Sequence, residues 1–401
     1  NYVLDSYFPN NTKVSYKVGN SKIASVDKEA GIIEALAEGS TSVSVNVVYY
    51  ETAEDGTVRE KPTLYNVRVK IEVKDPFTAN AIYLMSYRGL GGEVVIPDDR
   101  GITTIYEYAF SGYEYVEKDT SAGDVIDDED PYFLKQSALG EDTITKVVIP
   151  EGVTHINRYA FANLTALKEV KLPTTLVNIG VGAFSGCTSL QTINLENVKF
   201  INERAFSNCN LQEMDLSSVV AIGNYSFENC KLNYVSLPES SQSLGIGAFY
   251  GNVYLNSVEF KASKIKLGNN VFGGCIALKE ITVNATVIAP YAFSDCGALE
   301  TVRLGKDVEI IGEYAFSGTK VSAFEVDFKN TTFTTDDGGK LLYKGADKYE
   351  LVLVAPTYAG IQNTVTTPAK KIATGSFSGN TKIVNVVANE VLYVAPYAFA
   401  G

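Results

Sequence analysis

The sequence has no tryptophan, two methionines and a single histidine among its 401 residues. Because His155 is the single histidine, most catalytic schemes that use histidine as a general base, in a triad or as one of several metal ligands are excluded. No apolar run reaches the roughly 18 residues that span a bilayer. Basic residues are in the minority, because 34 Lys and Arg face 47 Asp and Glu and give a net charge of −13. This balance argues against nucleic acid and anionic membranes as partners, since both attract clustered Lys and Arg.

What the sequence does contain is a repeat that ends in Phe. A residue that is usually Ala precedes this Phe, and Gly, Asn or Asp follows two places later. The eleven occurrences are Phe110, Phe161, Phe184, Phe206, Phe227, Phe249, Phe272, Phe293, Phe316, Phe377 and Phe399. The residue five before each Phe is always aliphatic, and the spacing from Phe161 to Phe316 is 21 to 23 residues. This period is typical of a leucine-rich repeat.

A short alternating segment follows each Phe turn, as in Leu167, Val170 and Leu172. Period-two alternation sends one row of side chains into the core and the other to solvent. Since one unit of this length cannot bury its own apolar face, neighbouring units must stack. The sequence therefore predicts a β-rich, right-handed leucine-rich-repeat solenoid of short parallel strands, with an irregular or short-helical convex side.

Two insertions interrupt the period, near 112–142 and near 328–371. The first is acidic, and its carboxylates, at Asp124, Asp127, Asp128, Glu129 and Asp130, favour a solvated loop over a calcium site because they lack an ordered ligand spacing. The second contains the run TTDDGGKLLYKGADKYELVLVAP (334–356), which predicts a hairpin followed by another strand within the solenoid.

Residues 1–75 lack the repeat and show short alternating strands separated by turn residues, for example Val43, Val45 and Val47. This pattern predicts a small β-sandwich. A resemblance to bacterial Ig-like domains of the intimin and invasin kind lies in the run VGNSKIASVDKEAGIIEALAEGSTSVSVNV (18–47). The resemblance implies a spacer domain at 1–75 that is truncated at its N-terminus.

The repeats at 76–401 resemble the BspA-like leucine-rich repeats. The resemblance is carried by VVIPEGVTHINRYAFANLTALKEVKLP (147–173) and NIGVGAFSGCTSLQTINL (178–195). It implies a protein of the bacterial surface, extracellular or secreted, and some family members bind extracellular-matrix proteins or other bacteria. Because residue 1 is not Met and Gly401 falls inside a repeat, we expect a fragment cut at both ends.

Cysteine and tyrosine occupy repeat positions. The five cysteines lie three after a repeat Phe, at Cys187, Cys209, Cys230, Cys275 and Cys296. No metal-ligand spacing joins them, and their odd count favours buried free thiols over disulfides between adjacent layers. Six tyrosines lie two before a repeat Phe, at Tyr108, Tyr159, Tyr225, Tyr291, Tyr314 and Tyr397. We favour a stack at the layer edge over a contact surface.

The remaining place for a function is the polar face, defined as the outward positions of the strand segments that follow each Phe turn. Its candidate binding residues are Glu169, Lys171, Glu213, Asp215, Tyr234, Glu259 and Arg303. This face is mixed in charge and poor in aromatics, which favours protein recognition over a sugar-stacking platform. Carbohydrate capture remains the alternative, and a non-catalytic part of a larger surface enzyme is a further one.

We therefore expect a monomeric, non-catalytic adhesion protein. Its partner would be a protein or glycoprotein of the host, such as matrix or mucin, or of neighbouring cells. No cofactor or metal is expected, no nucleic-acid partner, and no membrane insertion in this fragment. Carboxylate-only catalysis is disfavoured because the Asp and Glu residues are scattered over the repeats without a cleft.

Overall fold

The computed structural model describes residues 12–26, 33–36, 38–52, 58–73, 77–80, 82–87, 89, 91–111, 113–117, 132–136, 143–261, 264–336 and 338–400. The chain divides into two compact units, Asn1–Pro76 and Phe77–Gly401. In the described part of the chain, no helix has the length and apolar character that crossing a membrane requires.

The first unit is built from antiparallel strands. They are β1 (Thr12–Val18), β2 (Ala24–Val26), β3 (Ile33–Ala35), β4 (Gly39–Thr52) and β5 (Val58–Val73). The central strand β4 pairs with β1 on one edge and β5 on the other, while β2 and β3 pair with each other. Tyr16, Val43 and Val45 are buried between these strands, so the alternation seen in the sequence does give this unit a core.

The second unit is a solenoid whose largest sheet has eleven strands. From β9 onwards this sheet passes through the aliphatic residues five before each Phe, and we call it the isoleucine sheet. Its strands are β6 (Phe77–Asn80), β7 (Tyr83–Tyr87), β9 (Thr104–Ile105), β13 (His155–Ile156), β15 (Asn178–Ile179), β16 (Phe200–Ile201), β17 (Ala221–Ile222), β19 (Ser243–Leu244), β21 (Ile265–Leu267), β23 (Ala285–Ile288) and β25 (Ile310–Ile311). All neighbours are parallel except β6 and β7.

A second row of parallel strands carries the polar face. Its strands are β8 (Gly92–Val95), β12 (Ile144–Val148), β14 (Glu169–Lys171), β18 (Tyr234–Leu237), β20 (Ser257–Phe260), β22 (Glu280–Val283), β24 (Thr301–Leu304) and β26 (Ala323–Val326). They form three separate sheets, β8-β12-β14, β18-β20 and β22-β24-β26. The alternating segments predict one strand per turn, all in one sheet. In the structure most turns carry two strands, one in the isoleucine sheet and one in this second row. The second row is the one that the alternating segments predict, and it is interrupted.

Stacked phenylalanines fill the space between the two rows. From Phe110 to Phe316, consecutive rings lie 4.6–5.5 Å apart between centroids and are nearly parallel. All of these rings are buried. The Gly, Asn or Asp two residues after most of them has a positive φ, as at Asn163 and Gly186, and this left-handed conformation is the one that these residue types adopt at low steric cost. One repeat position therefore supplies one continuous core.

The first insertion begins and ends in a pair of antiparallel strands, β10 (Tyr113–Glu117) and β11 (Tyr132–Gln136). The five carboxylates of the suggested calcium site, at 124, 127, 128, 129 and 130, lie outside the described residues. A 3-10 turn spans Asp98–Arg100.

The second insertion confirms the predicted hairpin and following strand. Its strands are β27 (Phe333–Thr335), β28 (Leu341–Lys344) and β29 (Glu350–Val354), and the solenoid continues with β30 (Thr364–Thr366), β31 (Lys371–Ile372), β32 (Asn385–Val387) and β33 (Tyr393–Val394). β29 is antiparallel to β28 and parallel to β31. Val352 and Leu353 pack into the main core, whereas Leu351 and Val354 pack into a second core at the C-terminal end. The hairpin thus separates two cores.

Candidate functional site

The polar face keeps the alternation that the sequence indicates. Along β22, Glu280 and Thr282 are exposed while Ile281 and Val283 are buried. Each of the predicted binding residues from Glu169 to Glu259 is exposed, and Arg303 is half-buried. The structure therefore presents all seven side chains to solvent, but it distributes them among different environments along the face.

At the N-terminal end of the face, cross-strand ion pairs join the charged side chains. Lys146 on β12 lies in register between Glu93 on β8 and Glu169 on β14. Its Nζ is 3.3 Å from the Glu93 carboxylate and 3.5 Å from that of Glu169. Glu169 therefore already has a partner. Lys171 lies two residues further along the same strand.

At the other end, Arg303 on β24 is held between two carboxylates. Its guanidinium lies 2.8 Å from Glu280 and 2.9 Å from Glu325. Such exposed pairs contribute little stability, but they give each of these carboxylates a cationic partner. Glu325 was absent from the predicted set, as were Lys146 and Glu93. Extending the repeat into ITKVVIP (144–150) would have revealed Lys146, since this run matches the later strand segments.

Glu259 is also occupied, by hydroxyl groups. The Tyr234 hydroxyl donates to its carboxylate at 2.6 Å, and the Ser236 hydroxyl donates to the same oxygen at 2.8 Å. These two hydrogen bonds lower the pKa of the Glu259 carboxyl. Lys261 approaches it at 3.9 Å. Two of the predicted residues, Tyr234 and Glu259, are thus brought together across β18 and β20.

Between β14 and β18 the strand row is interrupted at residues 191–195 and 212–216. In both turns a short acceptor side chain binds the backbone N–H two residues ahead. The Asn194 side chain accepts from the Glu196 N–H at 3.0 Å, and Asp215 accepts from the Ser217 N–H at 2.8 Å. Such local bonds compete with strand pairing. The same position elsewhere holds Lys171, Ser236, Glu259, Thr282 or Arg303, and those turns form strands.

The interruption opens two adjoining cavities of about 450 and 650 Å³ against β18. Both are lined by Met214, Asp215 and Tyr234. We call them together the strand-gap groove, with Glu213, Met214, Asp215, Tyr234, Pro238 and Glu239 as its defining residues. Residues 168–237 are all described. Within them, one backbone hydrogen bond joins 212–216 to the next turn, and it runs from the Asn233 N–H to the Gln212 carbonyl at 3.3 Å.

The groove has an apolar floor and a mainly acidic rim, which also includes Lys261 beside Glu259. Met214 is half-buried and packs against the main core, and Pro238 is buried. Glu213, Asp215 and Glu239 are exposed, and none of the three forms an ion pair within the described part of the solenoid. The groove therefore differs from both ends of the polar face, where the acidic side chains already contact a cation.

A family model described as the BspA type leucine rich repeat region, with six copies, matches residues 132–221 and 220–336. The chain belongs to the BspA-type leucine-rich repeat family. The β-rich solenoid is the fold that these repeats were expected to give. Comparison with curated proteins finds no match.

Several solved structures are similar to this BspA-type chain. A leucine-rich repeat protein from Bacteroides ovatus shares 22% identity over 86% of this chain and 88% of that chain, with a TM-score of 0.46. A leucine rich cell surface protein from Faecalibacterium prausnitzii shares 17% over 85% and 93%, with a TM-score of 0.36. A leucine-rich repeat protein from Eubacterium ventriosum shares 15% over 96% and 88%, with a TM-score of 0.40. At these identities the likeness concerns the fold alone.

In these BspA-type repeats the cysteine position has a structural function. All five cysteines are free and buried, as predicted. Each thiol approaches the carbonyl of the repeat Phe one turn earlier, for example Cys187 to Phe161 at 3.1 Å. Asn252, at the same position, donates to Phe227 at 2.8 Å instead. Burial raises the pKa of the Cys230 thiol to about 12, which leaves it protonated and a poor nucleophile.

The tyrosine position forms a stack along the layer edge. Rings stack at 5.4 Å between Tyr108 and Tyr159 and at 5.2 Å between Tyr291 and Tyr314. Where glycine follows in the next turn, the ring covers it, since a Cβ on Gly182 would lie 2.2 Å from the Tyr159 ring. These contacts support the edge stack over a contact surface.

His155 lies on the isoleucine sheet, away from the groove. Its Nδ1 is 2.8 Å from the Thr154 hydroxyl, and the residue is exposed. No group of three or more His, Cys, Asp or Glu side chains in the described ranges could hold a metal ion.

Proposed function

We propose that this chain is a non-catalytic protein of the bacterial surface, and that its solenoid recognises a protein or glycoprotein of the host or of neighbouring cells. The observation that carries the proposal is the strand-gap groove on the polar face. It is a concave, amphipathic place on an otherwise regular array, and surface recognition favours such places. Membership of the BspA-type family supports the extracellular location that the resemblance implied.

The non-catalytic part of the proposal rests on how the reactive side chains are used. The cysteine thiols are buried, and the burial that raises the pKa of Cys230 to about 12 opposes thiolate formation. His155 contacts Thr154 and lies on a different sheet from the groove. The acidic side chains of the polar face away from the groove are engaged with Lys146, Arg303 or hydroxyl groups.

The N-terminal unit fits the role of an Ig-like spacer at 1–75. Its antiparallel arrangement, with β4 between β1 and β5, is compatible with such a domain. We propose that it holds the solenoid away from the cell, with the whole chain acting as a monomer.

Protein recognition is favoured over carbohydrate capture by the state of the polar face. Among the outward positions of its strand segments, Tyr234 is the single aromatic side chain in the described chain. Its hydroxyl is bound to Glu259, and its neighbours on β20 are Ser257 and Glu259 rather than further aromatic rings. A sugar-stacking platform uses flat aromatic surfaces with free polar neighbours.

The test is direct binding of the whole chain to host matrix proteins and mucins, measured by biolayer interferometry, beside a glycan array. We expect saturable binding to at least one matrix protein or mucin and no glycan hits. The double variant Glu213→Ala with Tyr234→Ala should weaken that binding. Glycan hits without protein binding would overturn the proposal, and unchanged binding by the double variant would exclude this face.

A further inference from the structure

The strand-gap groove has a shape and charge that select one kind of side chain. Met214 and Pro238 offer apolar surface at its floor, and Tyr234, which is 44% exposed, forms a wall. Glu213 and Asp215 stand at its rim. A ligand side chain that fits must therefore have an apolar stem and a cationic end, which is the construction of arginine and lysine.

Two carboxylates of the rim, Glu213 and Asp215, form no ion pair with the described residues, while Lys261, which also lines the groove, lies 3.9 Å from Glu259. On the rest of the face, Lys146 and Arg303 each contact two carboxylates, and Glu259 accepts two hydroxyl bonds. By contrast, the described residues supply no cation within ion-pair distance of Glu213 or Asp215. A cationic partner could form ion pairs with these two carboxylates without displacing an existing one.

The backbone at the groove also lacks its usual partners. β18 pairs with β20 along one edge, while its opposite edge faces residues 212–216 without a ladder. The carbonyl groups of 212–216, which form no ladder with β18, are candidate acceptors for a guanidinium, since this group carries five donors in a planar fork. Tyr234, beside them, can also offer its ring face to that cation.

We propose that the strand-gap groove binds an arginine side chain on an extended segment of the partner protein. The inference rests on the proposed function, because it names the chemistry of the ligand that the same face would recognise. This occupant follows from charge complementarity between the guanidinium and the unpaired carboxylates of Glu213 and Asp215, together with the apolar floor.

The experiment uses the whole chain and two synthetic peptides, one with two arginines in a Gly-Ser background and one with glutamine in their place. Affinity is measured by fluorescence anisotropy at low and at physiological salt. We expect the arginine peptide to bind about tenfold more tightly than the glutamine peptide, with an advantage that shrinks as salt screens the charges.

Glu213→Gln with Asp215→Asn removes both charges, and asparagine keeps the acceptor that holds the turn at Ser217. The matched control is Glu300→Gln with Glu309→Gln, which changes the net charge equally at exposed positions outside the groove. The groove variant should lose about tenfold in affinity and the control less than about twofold. Circular dichroism melts establish that both variants fold.

Equal losses in both variants would show general charge attraction and overturn the groove as the site. No preference for the arginine peptide would overturn the ligand chemistry. If a matrix protein or mucin still binds the groove variant with full affinity, the surface-binding function stands and this inference fails. If the arginine peptide binds at the groove but no matrix protein or mucin binds the chain, the proposed function fails and the groove chemistry stands.

Discussion

Ser226 occupies the small-residue position before a repeat Phe and offers a sharp test of the layer packing. Its side chain is fully buried, and its hydroxyl has no hydrogen-bond partner among the described residues. Leaving a buried hydroxyl unsatisfied costs about 1–3 kcal/mol. Since Ala fills this position in most other turns, Ser226→Ala removes the penalty without a clash. We expect it to raise the free energy of unfolding by about 1 kcal/mol, the low end of that range.

Ser376 is the matched control, because it occupies the same repeat position with its hydroxyl satisfied. Its hydroxyl can donate to either of two carbonyls, that of Leu351 at 3.1 Å or that of Ala373 at 2.5 Å. Ser376→Ala loses this hydrogen bond, but the Leu351 carbonyl keeps the Ala373 N–H at 3.0 Å. The loss should therefore be that of an ordinary hydrogen bond, about 0.5–1.5 kcal/mol.

Urea unfolding followed by circular dichroism measures both changes, with equal slopes required for a direct comparison of midpoints. The Ser226→Ala midpoint should rise and the Ser376→Ala midpoint should fall. A Ser226→Ala protein that is less stable than the wild type would refute the reasoning, because it would mean that the hydroxyl makes a stabilising contact in solution.

Three further predictions concern the stacked turns. Gly180→Ala should lower the free energy of unfolding in urea by about 1–3 kcal/mol, as overpacking does, because a Cβ there would lie 2.7 Å from the Ile156 carbonyl oxygen; Gly297→Ala, with open space around it, should not. The five thiols, typified by Cys230, should react with a thiol reagent at pH 8 only at the rate of unfolding, and fast labelling of the native protein would contradict their burial. Asn252→Leu should cost about 1–3 kcal/mol in the same urea assay, since it removes the donor to the Phe227 carbonyl, and Asn252→Cys should cost less.

The phenylalanine core was predictable because one residue recurs at one position with its left-handed turn two residues later. The isoleucine sheet was not, since strands of two residues, such as His155–Ile156, leave no alternation to detect. Its aliphatic residues were recognised in the sequence as a fixed repeat position without being recognised as a sheet. Their pairing becomes visible only once the turns are stacked.

The candidate site was predictable only in its general location. The polar face follows from alternation, and Tyr234 and Glu259 do meet across two strands. The groove lies where Asn194 and Asp215 bind the backbone two residues ahead, and such local bonds compete with strand pairing. The preference of Asn and Asp for such turns is the signal that could have located it.

The most direct test of recognition at the strand-gap groove is hydrogen–deuterium exchange of the whole chain, with and without a matrix protein or mucin that it binds. We predict slower exchange on binding at residues 213–217 and 234–240, which surround the groove. Slower exchange confined to the isoleucine sheet or to the first unit, with none at the groove, would contradict that claim.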